Sequence, residues 1–490
     1  MQTRVVSSVS SLAGYLRSNE TVRDEVDTLL HVAEGALPPG LRGVLYRNGP
    51  GKMEVYGTRY RHPFDGDGMV TRFAFDGASV RYRNRFVHTA EYDAEARAAK
   101  MLYRSFGTNL PGGLRRNFLR MHFKNAANTS VVLCAGKLLA LWEGGLPHLL
   151  DPVTLETHGR YDFDGRLRNH SGLLSRMMAP ELPFSAHPKL DLDTGELINF
   201  GTLMGAANRL VTYRVRPDGT MNAPSFTPLA ALSFVHDFVL TRHYLAFFVS
   251  GVSFRMAATL AGVATPVGSL SATEDAPATL LLLPRDGRAP IHVPVRPGFV
   301  FHFANGYEDA AGRVVLDGMR MNTLPAASLV ESLLDGQEVD VPPARPTRYV
   351  VDPDRKTASE QELSSGMAEL PTIDPRHSGR DYRHFWAIAR QPNQTHPFYQ
   401  RLVHFDHAGS EIARDFAPDL PGEPVFVPAS PDAPEGEGFV LSLVYRVHAH
   451  RSDLYVLRAG DLGPVCRLEL PHHVPGGFHG TWCPATPSLS

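Results

Sequence analysis

The sequence predicts an all-β-dominated fold, a β-propeller, from its turn-rich composition, its recurring short apolar runs and its length. Its 490 residues include 43 glycines and 39 prolines spread along the whole chain, which is typical of many short strands joined by tight turns. A chain of this length forms either two or three domains or one large propeller or barrel. Blades that close into a ring leave few sheet edges exposed, so a propeller accounts best for the repeated hairpins.

Several apolar runs flank Gly, Asp or Asn turns and predict β-hairpins. The runs 131–133 and 138–142 lie on either side of Ala135-Gly136-Lys137. Further strands are predicted over 210–215, 280–283, 439–447 and 454–457. Residues 341–366, rich in Pro, Asp, Ser and Glu, are predicted to be a solvated surface excursion. No blade motif recurs, so these patterns predict the class of fold but not the number of blades.

Charge and cysteine content exclude several classes of partner. The formal net charge is -2, and no dense Lys/Arg block is flanked by stacking aromatic residues, so nucleic acid is not expected as a partner. Cys134, Cys466 and Cys483 form no CxxC pair, which argues against a disulfide framework and a zinc ribbon. We therefore expect a cytoplasmic protein.

We expect residues 1–30 to be an N-terminal extension and residues 31–490 to form a single domain. The first residues lack the apolar region of a secretory signal, and a frayed terminus is favoured over a transit peptide. The most apolar later stretch, 256–270, is too short to span a bilayer, so no transmembrane segment is expected.

Two apolar segments, 111–123 and 251–270, interrupt the strand pattern. In the first, Leu114, Phe118 and Met121 recur at helical spacing beside the basic residues Arg115, Arg116 and Arg120. Both segments either pack on the core or form an apolar surface with a basic rim, suited to peripheral membrane contact. The pattern leaves both alternatives open.

Histidines with distinctive neighbours are the candidates for chemistry. Among 22 histidines, four lie in the contexts AHPK, VHDF, FHFAN and FHGTW. They are His187, His236, His302 and His479. Although they are far apart in sequence, separate blades of a propeller can bring such residues together on its axis. The dispersed histidines, including His62 in a Gly- and Asp-rich turn, are expected to be structural or exposed.

From about Gly35 to Trp482 the chain resembles the carotenoid cleavage oxygenase family, and within it most closely the bacterial apocarotenoid 15,15′-oxygenases. The matching motifs occur in the family's order and at its spacing. They are LYRNGPG, HPFDGDGMV, KNAANTSVV, LLALWEGGLP, AHPKLD, FVHDF, FVFHFANGYE, GEPVFVP and FHGTW.

The resemblance implies a seven-bladed propeller with a helical and loop cap over an axial Fe(II). It assigns the metal ligands to His187, His236, His302 and His479. It assigns the outer carboxylates to Glu143, Glu369 and Glu423, for which surface ion pairs or strand-end caps are the alternative. The chemistry agrees, because neutral imidazoles suit iron and a carboxylate that accepts the far ring N–H fixes the tautomer.

The implied activity is cleavage of a C=C bond of an apocarotenoid with O2, giving aldehydes such as retinal. An apolar polyene requires a tunnel lined by aromatic rings. The resemblance places six residues in that tunnel: Phe64, Phe106, Thr129, Trp142, Phe234 and Phe301. For each aromatic residue an ordinary core position is the alternative, and the methyl group of Thr129 is expected to crowd an open iron position.

Three other functions use the same scaffold: stilbene cleavage, isomerohydrolase chemistry, and lipid or carotenoid binding without catalysis. In the stilbene-cleaving relatives a lysine precedes the outer-shell glutamate and engages a phenolate. Here Trp142 precedes Glu143 and adds apolar surface, which favours a polyene. Retention of all four candidate ligands argues against a pure binding scaffold.

Overall fold

Seven antiparallel sheets surround one axis and form the blades of a β-propeller. The computed structural model describes residues 12–484 except 171–175, 177–178, 204–207, 230–232, 273–274 and 392–395, and omits the side chain of Ser253. The first strands of the sheets that begin with Val239–Leu240, Phe299–Glu308, Ala368–Ile373, Val425–Pro428, Gly480–Pro484 and Ser130–Cys134 contact one another in that order around the axis. The predicted fold class and the seven blades implied by the resemblance are confirmed.

The blades are numbered along the chain, with the strands of each given from the axis outward. Blade 1 contains Gly480–Pro484, Arg42–Lys52, Asp67–Asp76, Val80–Phe86 and Asp27–Leu29; blade 2 contains Ser130–Cys134, Lys137–Leu141, His148–Leu150 and Thr157–Arg160. Blade 3 contains Lys189–Leu190, Leu197–Leu203, Arg209–Val215 and Ser225–Pro228; blade 4 contains Val239–Leu240, Tyr244–Ser250, Ala278–Pro284 and Ile291–Val295. Blade 5 contains Phe299–Glu308, Val314–Met321, Arg345–Asp352 and Thr357–Glu362; blade 6 contains Ala368–Ile373, His384–Ala389, Arg401–Asp406 and Ser410–Asp415. Blade 7 contains Leu420–Pro421 and Val425–Pro428, then Gly438–Arg446, Arg451–Arg458, Pro464–Glu469 and His31–Gly35.

Strands from distant parts of the sequence close the ring. Gly480–Pro484 is the inner strand of blade 1 and pairs with Arg42–Lys52. His31–Gly35 is the outer strand of blade 7 and pairs with Pro464–Glu469. Asp27–Leu29 pairs with Val80–Phe86 at the outer edge of blade 1. The predicted boundary at residue 30 stays a prediction; residues 27–29 before it belong to a blade sheet, and residues 1–11 lie outside the described residues.

The apolar core lies between adjacent blades. In the described part of the chain, each pair of neighbouring blades shares one cluster of buried apolar side chains, including the pair formed by blades 7 and 1. Stacked sheet faces bury their alternate side chains against each other in this way. The axis is therefore left to residues at the starts of the inner strands.

The hairpin predictions are confirmed at all the positions named, including 131–133 with 138–142. The prediction of a surface excursion over 341–366 is wrong, because Arg345–Asp352 and Thr357–Glu362 form the outer hairpin of blade 5. An outer strand exposes one face to water, so its polar residues alternate with buried ones. The composition of such a strand therefore resembles that of a loop.

Short helices and loops form a cap over one end of the axis. The α-helices of the described residues include Ala90–Ala98, Leu114–Asn117, Met256–Leu260 and Ala327–Leu334, and residues 12–18 are also helical. The 3-10 helices are Pro63–Asp65, Val267–Ser269 and Pro375–His377, and two ribbons pair Glu54–Val55 with Thr58–Arg59 and Val252–Phe254 with Leu270–Ala272. The helical spacing over 111–123 corresponds to only four helical residues. Among the described residues, no helix is long and apolar enough to cross a membrane.

Candidate metal centre and ligand cavity

Four histidine side chains converge on the propeller axis. His479 directly precedes the inner strand of blade 1, and His302 lies within the inner strand of blade 5. His187 lies two residues before the inner strand of blade 3, and His236 lies three residues before that of blade 4. Their candidate ligand nitrogens all lie within 4.8 Å of one another. Nε2 of His236 is 2.9 Å from Nε2 of His187 and 3.2 Å from Nε2 of His302. Such spacings fit a shared ion about 2.1 Å from each nitrogen, the distance typical of zinc–imidazole bonds.

Irregular strand pairing accompanies His302 and also Glu369, one of the carboxylates predicted to lie beside the histidines. The register of blade 5 shifts between Val300 and Phe303, an interval that contains His302, and again between Phe303 and Asn305. In blade 6 the register shifts directly after Glu369, and Leu370 has a φ of 50°. Bulges of this kind re-aim side chains next to functional sites.

Three carboxylates approach the far nitrogens of three histidines. His302 Nδ1 is 2.6 Å from Glu369 Oε2, and His479 Nδ1 is 2.7 Å from Glu423 Oε1. Glu143 Oε1 lies 3.3 Å from His236 Nδ1. The glutamates come from blades 2, 6 and 7, which are the blades that supply none of the four histidines. Each blade therefore supplies one residue of a seven-residue cluster.

The hydrogen bonds fix which ring nitrogens face the axis as acceptors. His302 and His479 donate through Nδ1 to carboxylates, so their neutral rings carry an unprotonated Nε2. These lone pairs point towards the same small volume as Nε2 of His187 and His236. Lone pairs that converge in this way repel unless a cation lies between them, so the donor set fits a transition metal that accepts imidazole ligands.

Burial and neighbouring charges shift the pKa values of this cluster. Burial and the surrounding imidazoles lower the pKa of His187 and His236 well below the usual value. Burial also lowers the pKa of His479 and outweighs the opposing effect of Glu423. At His302, burial is opposed by Glu369 and more distant carboxylates, and its pKa is raised.

The carboxylates differ in their electrostatic surroundings. Although burial raises the pKa of Glu423, the charges of His479 and Arg47 and several hydrogen bonds bring it below the usual value. Glu143 has no such cationic partner, and burial raises its pKa well above the usual value. A cation held by the histidines would favour the ionised form of Glu143.

Arg47, in the LYRNGPG motif, is a buried member of the site to which the sequence analysis gave no role. Its Nη1 donates to the backbone carbonyl of Glu423 at 2.9 Å and lies 3.4 Å from the Glu423 carboxylate. The sequence feature that could have identified Arg47 is its position in the middle of an otherwise buried strand, because a buried charge requires a partner. When all three glutamates are ionised they carry three negative charges. A dication held by the histidines and the guanidinium of Arg47 would together balance those charges.

An apolar cavity of about 870 Å³ lies over the histidine cluster. His236, His302 and His479 face it, whereas His187 faces a smaller cavity of about 190 Å³ that His302 and His479 also line. The six residues predicted for the tunnel all line the larger cavity: Phe64, Phe106, Thr129, Trp142, Phe234 and Phe301. The backbone carbonyl of Thr129 also accepts a hydrogen bond from the backbone N–H of His479 at 3.2 Å.

Aromatic rings follow one another across this cavity. Phe64 lies 5.3 Å from Phe478 and 6.3 Å from Phe106, and Phe106 lies 6.2 Å from Phe234, measured between ring centres. Phe301 is 6.3 Å from Phe234 and 5.4 Å from the ring of His236. Phe478, which sequence reasoning did not assign to the tunnel, thus joins this row next to the candidate ligand His479.

The HPFDGDG motif supports two rings of the row. The ring of His62 lies 4.6 Å from that of Phe64 and 5.8 Å from that of Phe106. Asp65 accepts hydrogen bonds from Gly107 N at 2.9 Å and Thr108 Oγ1 at 2.6 Å. A Cβ at Gly107 would lie 2.3 Å from that of His62, so only glycine permits this approach. His62 therefore positions the cavity wall.

Fold and site together define a β-propeller with four converging histidines on its axis, a candidate metal site, beneath an apolar cavity. The sequence model of the retinal pigment epithelial membrane protein (RPE65) family matches residues 19–484. The chain belongs to this family of carotenoid oxygenases, which confirms the resemblance.

Relatives and solved structures agree with this assignment. The chain is 34% identical to apocarotenoid-15,15′-oxygenase of Synechocystis sp. over 480 residues, covering 96% of each chain. It is 31% identical to lignostilbene-α,β-dioxygenase isozyme III of Sphingomonas paucimobilis over 510 residues, covering 97% of each. The crystal structure of cobalt-substituted Synechocystis apocarotenoid oxygenase superposes with a TM-score of 0.89 at 34% identity, covering 97% of this chain and 99% of that one.

Proposed function

We propose that this protein is an Fe(II)-dependent dioxygenase that cleaves a C=C bond of an apocarotenoid with O2 into two carbonyl products, including aldehydes such as retinal. The observation that carries the proposal is the convergence of four imidazoles at the wall of a large apolar cavity. The names of the relatives support it, since they are oxygenases of apocarotenoids and stilbenes.

Under this proposal His187, His236, His302 and His479 hold iron, and Glu143, Glu369 and Glu423 orient three of the rings. Iron bound there would supply the activation of O2. One alkene and one O2 give two carbonyl groups with no net proton transfer, so the reaction needs no protein nucleophile. The remaining task of the chain is to exclude water and to hold the polyene over the metal, which the row of aromatic rings performs.

A polyene suits this cavity better than a stilbene phenolate. Trp142 lines the cavity beside Glu143, and none of the described cavity-lining residues is a lysine. A phenolate beside Glu143 would therefore find the indole of Trp142 instead of a lysine ammonium, whereas an extended hydrocarbon gains contact with Trp142 and the phenylalanines.

The test is aerobic incubation of the iron-loaded protein with an apocarotenal and, separately, with a hydroxystilbene. We expect the apocarotenal to give two carbonyl products, each carrying one oxygen atom from ¹⁸O-labelled O2, and the stilbene to be cleaved slowly or not at all. Preferred cleavage of the stilbene would make this a stilbene oxygenase. Binding of the apocarotenal without cleavage by the iron-loaded protein would support the non-catalytic alternative.

We also propose that the cap contacts an anionic bilayer, from which an apolar substrate enters. Four of the nine exposed large apolar side chains among the described residues lie in the segments 111–123 and 251–270, namely Leu114, Phe118, Leu119 and Val263. Arg115, Arg116 and Arg120 are exposed beside them. Apolar side chains with a basic rim favour the surface of an anionic membrane.

The two segments form one surface because Arg104 joins them. Its buried guanidinium donates to the carbonyls of Arg120 at 3.0 Å, Thr259 at 2.9 Å and Ala264 at 2.8 Å. Met121 and Thr259 line the cavity, so this surface lies at the cavity wall. Met121 accordingly faces the cavity, although its spacing placed it with the surface residues Leu114 and Phe118.

Vesicle flotation tests this contact. The double variant Phe118→Ser/Leu119→Ser should lose binding to vesicles containing phosphatidylserine, and wild type should bind neutral phosphatidylcholine vesicles more weakly. Leu29→Ser/Phe226→Ser removes exposed apolar side chains on blades 1 and 3 and is the matched control. Equal binding of both double variants would contradict the proposed surface.

A further inference from the structure

Arg390 is a buried guanidinium in the wall of the apolar cavity, directly after the blade 6 strand His384–Ala389. It is only 5% exposed. Its Nη2 donates to the backbone carbonyl of Val341 at 3.3 Å, Nη1 lies 3.8 Å from Met367 Sδ, and Nε has no hydrogen-bond partner in the described part of the chain. Tyr399 is a further neutral hydrogen-bond partner, so none of these contacts balances the charge of the guanidinium.

No carboxylate of the described residues forms an ion pair with Arg390. The nearby stretch 392–395 is Pro-Asn-Gln-Thr and contains no acidic residue. The other two arginines of the cavity wall are paired: Arg47 with Glu423, and Arg160 with Glu91 at 2.8 Å. A buried charge without a counter-ion is costly, so an anion supplied by a ligand would stabilise this arrangement.

The strand register places Arg390 near the cluster of four histidines and three glutamates. Glu369, which contacts His302, pairs with Ile388, and Arg390 follows two residues later. Two residues of extended strand span about 7 Å. Arg160 lies on blade 2, three blades away around the ring. An elongated ligand crossing the metal can therefore extend one end towards Arg390 and the other towards blade 2.

We propose that Arg390 binds a terminal carboxylate of the polyene, so that apocarotenoid acids are the preferred substrate class of this site. A carboxylate supplies both the missing charge and two acceptors for the planar guanidinium. Tyr399, whose ring centre lies 5.4 Å from the guanidinium carbon, stacks on the group. This inference rests on the proposed function, because the ligand is taken to be a polyene that crosses the metal.

The test is equilibrium binding to the metal-loaded protein without oxygen, so that no bound polyene is consumed. The probes are β-apo-8′-carotenoic acid and its methyl ester, which share the polyene and differ in charge. We expect wild type to bind the acid about 10- to 100-fold more tightly than the ester. Arg390→Met should remove this preference by weakening acid binding alone, and Arg390→Lys should retain part of it.

Arg160→Met is the matched control, because it removes an arginine that already has carboxylate partners on the opposite side of the cavity. It should leave the ratio of acid to ester binding unchanged. Equal binding of both probes by wild type, or a ratio that changes in Arg160→Met instead of Arg390→Met, would overturn the role of Arg390. If wild type binds neither probe, the polyene cavity of the proposed function is itself wrong, and the role of Arg390 falls with it.

Discussion

Nζ of Lys189 lies 2.8 Å from Oδ1 of Asp237. The other oxygen of this buried carboxylate accepts a hydrogen bond from the backbone N–H of Phe303 at 2.9 Å. These three residues lie two positions after His187, one after His236 and one after His302. A single carboxylate thus joins the inner strands of blades 3, 4 and 5 next to three of the four converging imidazoles.

We therefore expect Asp237→Asn to lower both stability and metal affinity. Breaking a buried ion pair costs about 3–5 kcal/mol, and the lower end applies because Lys189 is one-quarter exposed. Denaturant unfolding and the iron content per chain measure the two effects. The control is Asp193→Asn, which breaks an exposed pair with Arg380 on the surface of blade 3 and should change little. Unchanged stability and iron content in Asp237→Asn would contradict this role.

The histidine cluster predicts up to one iron per chain. Ala at His236, His302 or His479 should abolish turnover, because each change removes a neutral nitrogen donor from the cluster. Elemental analysis and the apocarotenal assay measure the result, with His292→Ala, an exposed histidine on blade 4, as the control. A zinc-loaded protein that is active without iron would refute the proposed chemistry.

Glu143→Gln and Glu423→Gln should each lower iron affinity or activity by about 10- to 100-fold without unfolding the chain, as expected for carboxylates that orient metal-binding histidines. The larger effect is expected at Glu423, whose contact with His479 is shorter and which also pairs with Arg47. Iron titration and turnover, with thermal unfolding as a check, measure this. Wild-type rates in both variants would leave these acids with a structural role only.

Trp142 tests the class of substrate. Replacing it with Ala removes a large apolar contact, and burying a large side chain is worth about 1.5–3 kcal/mol, so apocarotenal turnover should fall. Part of the loss should appear as weaker binding and part as poorer positioning of the scissile bond. Trp142→Lys should be worse with apocarotenals, because it puts a charge in an apolar cavity, and should gain slight activity on a hydroxystilbene.

The measurement compares wild type and both Trp142 variants on an apocarotenal and a hydroxystilbene, with iron content determined in each. If both variants cleave the apocarotenal as well as wild type while retaining iron, the substrate assignment is wrong. The assignment of an iron dioxygenase would survive that result.

Local patterns predicted the features that depend on neighbouring residues. The hairpin around Gly136 and the context of each candidate histidine are examples. They did not predict contacts made between blades. Arg47 and Glu423 are 376 positions apart, and only the closed ring brings them together. Arg390 was missed for the same reason, since its lack of a counter-ion depends on how blade 6 faces the cavity.

Closure of the ring by residues 480–484 has a consequence for biosynthesis. The strand Gly480–Pro484 pairs with Arg42–Lys52, and His479 directly precedes it. On the ribosome the early blades emerge first, and pairing between such distant segments must wait until the later strand has been made. The fourth histidine therefore joins the other three only as blade 1 gains its innermost strand. A nascent chain shorter than this has three of the four imidazoles and an open ring, so the four-histidine cluster and the closed ring are completed in the same late step.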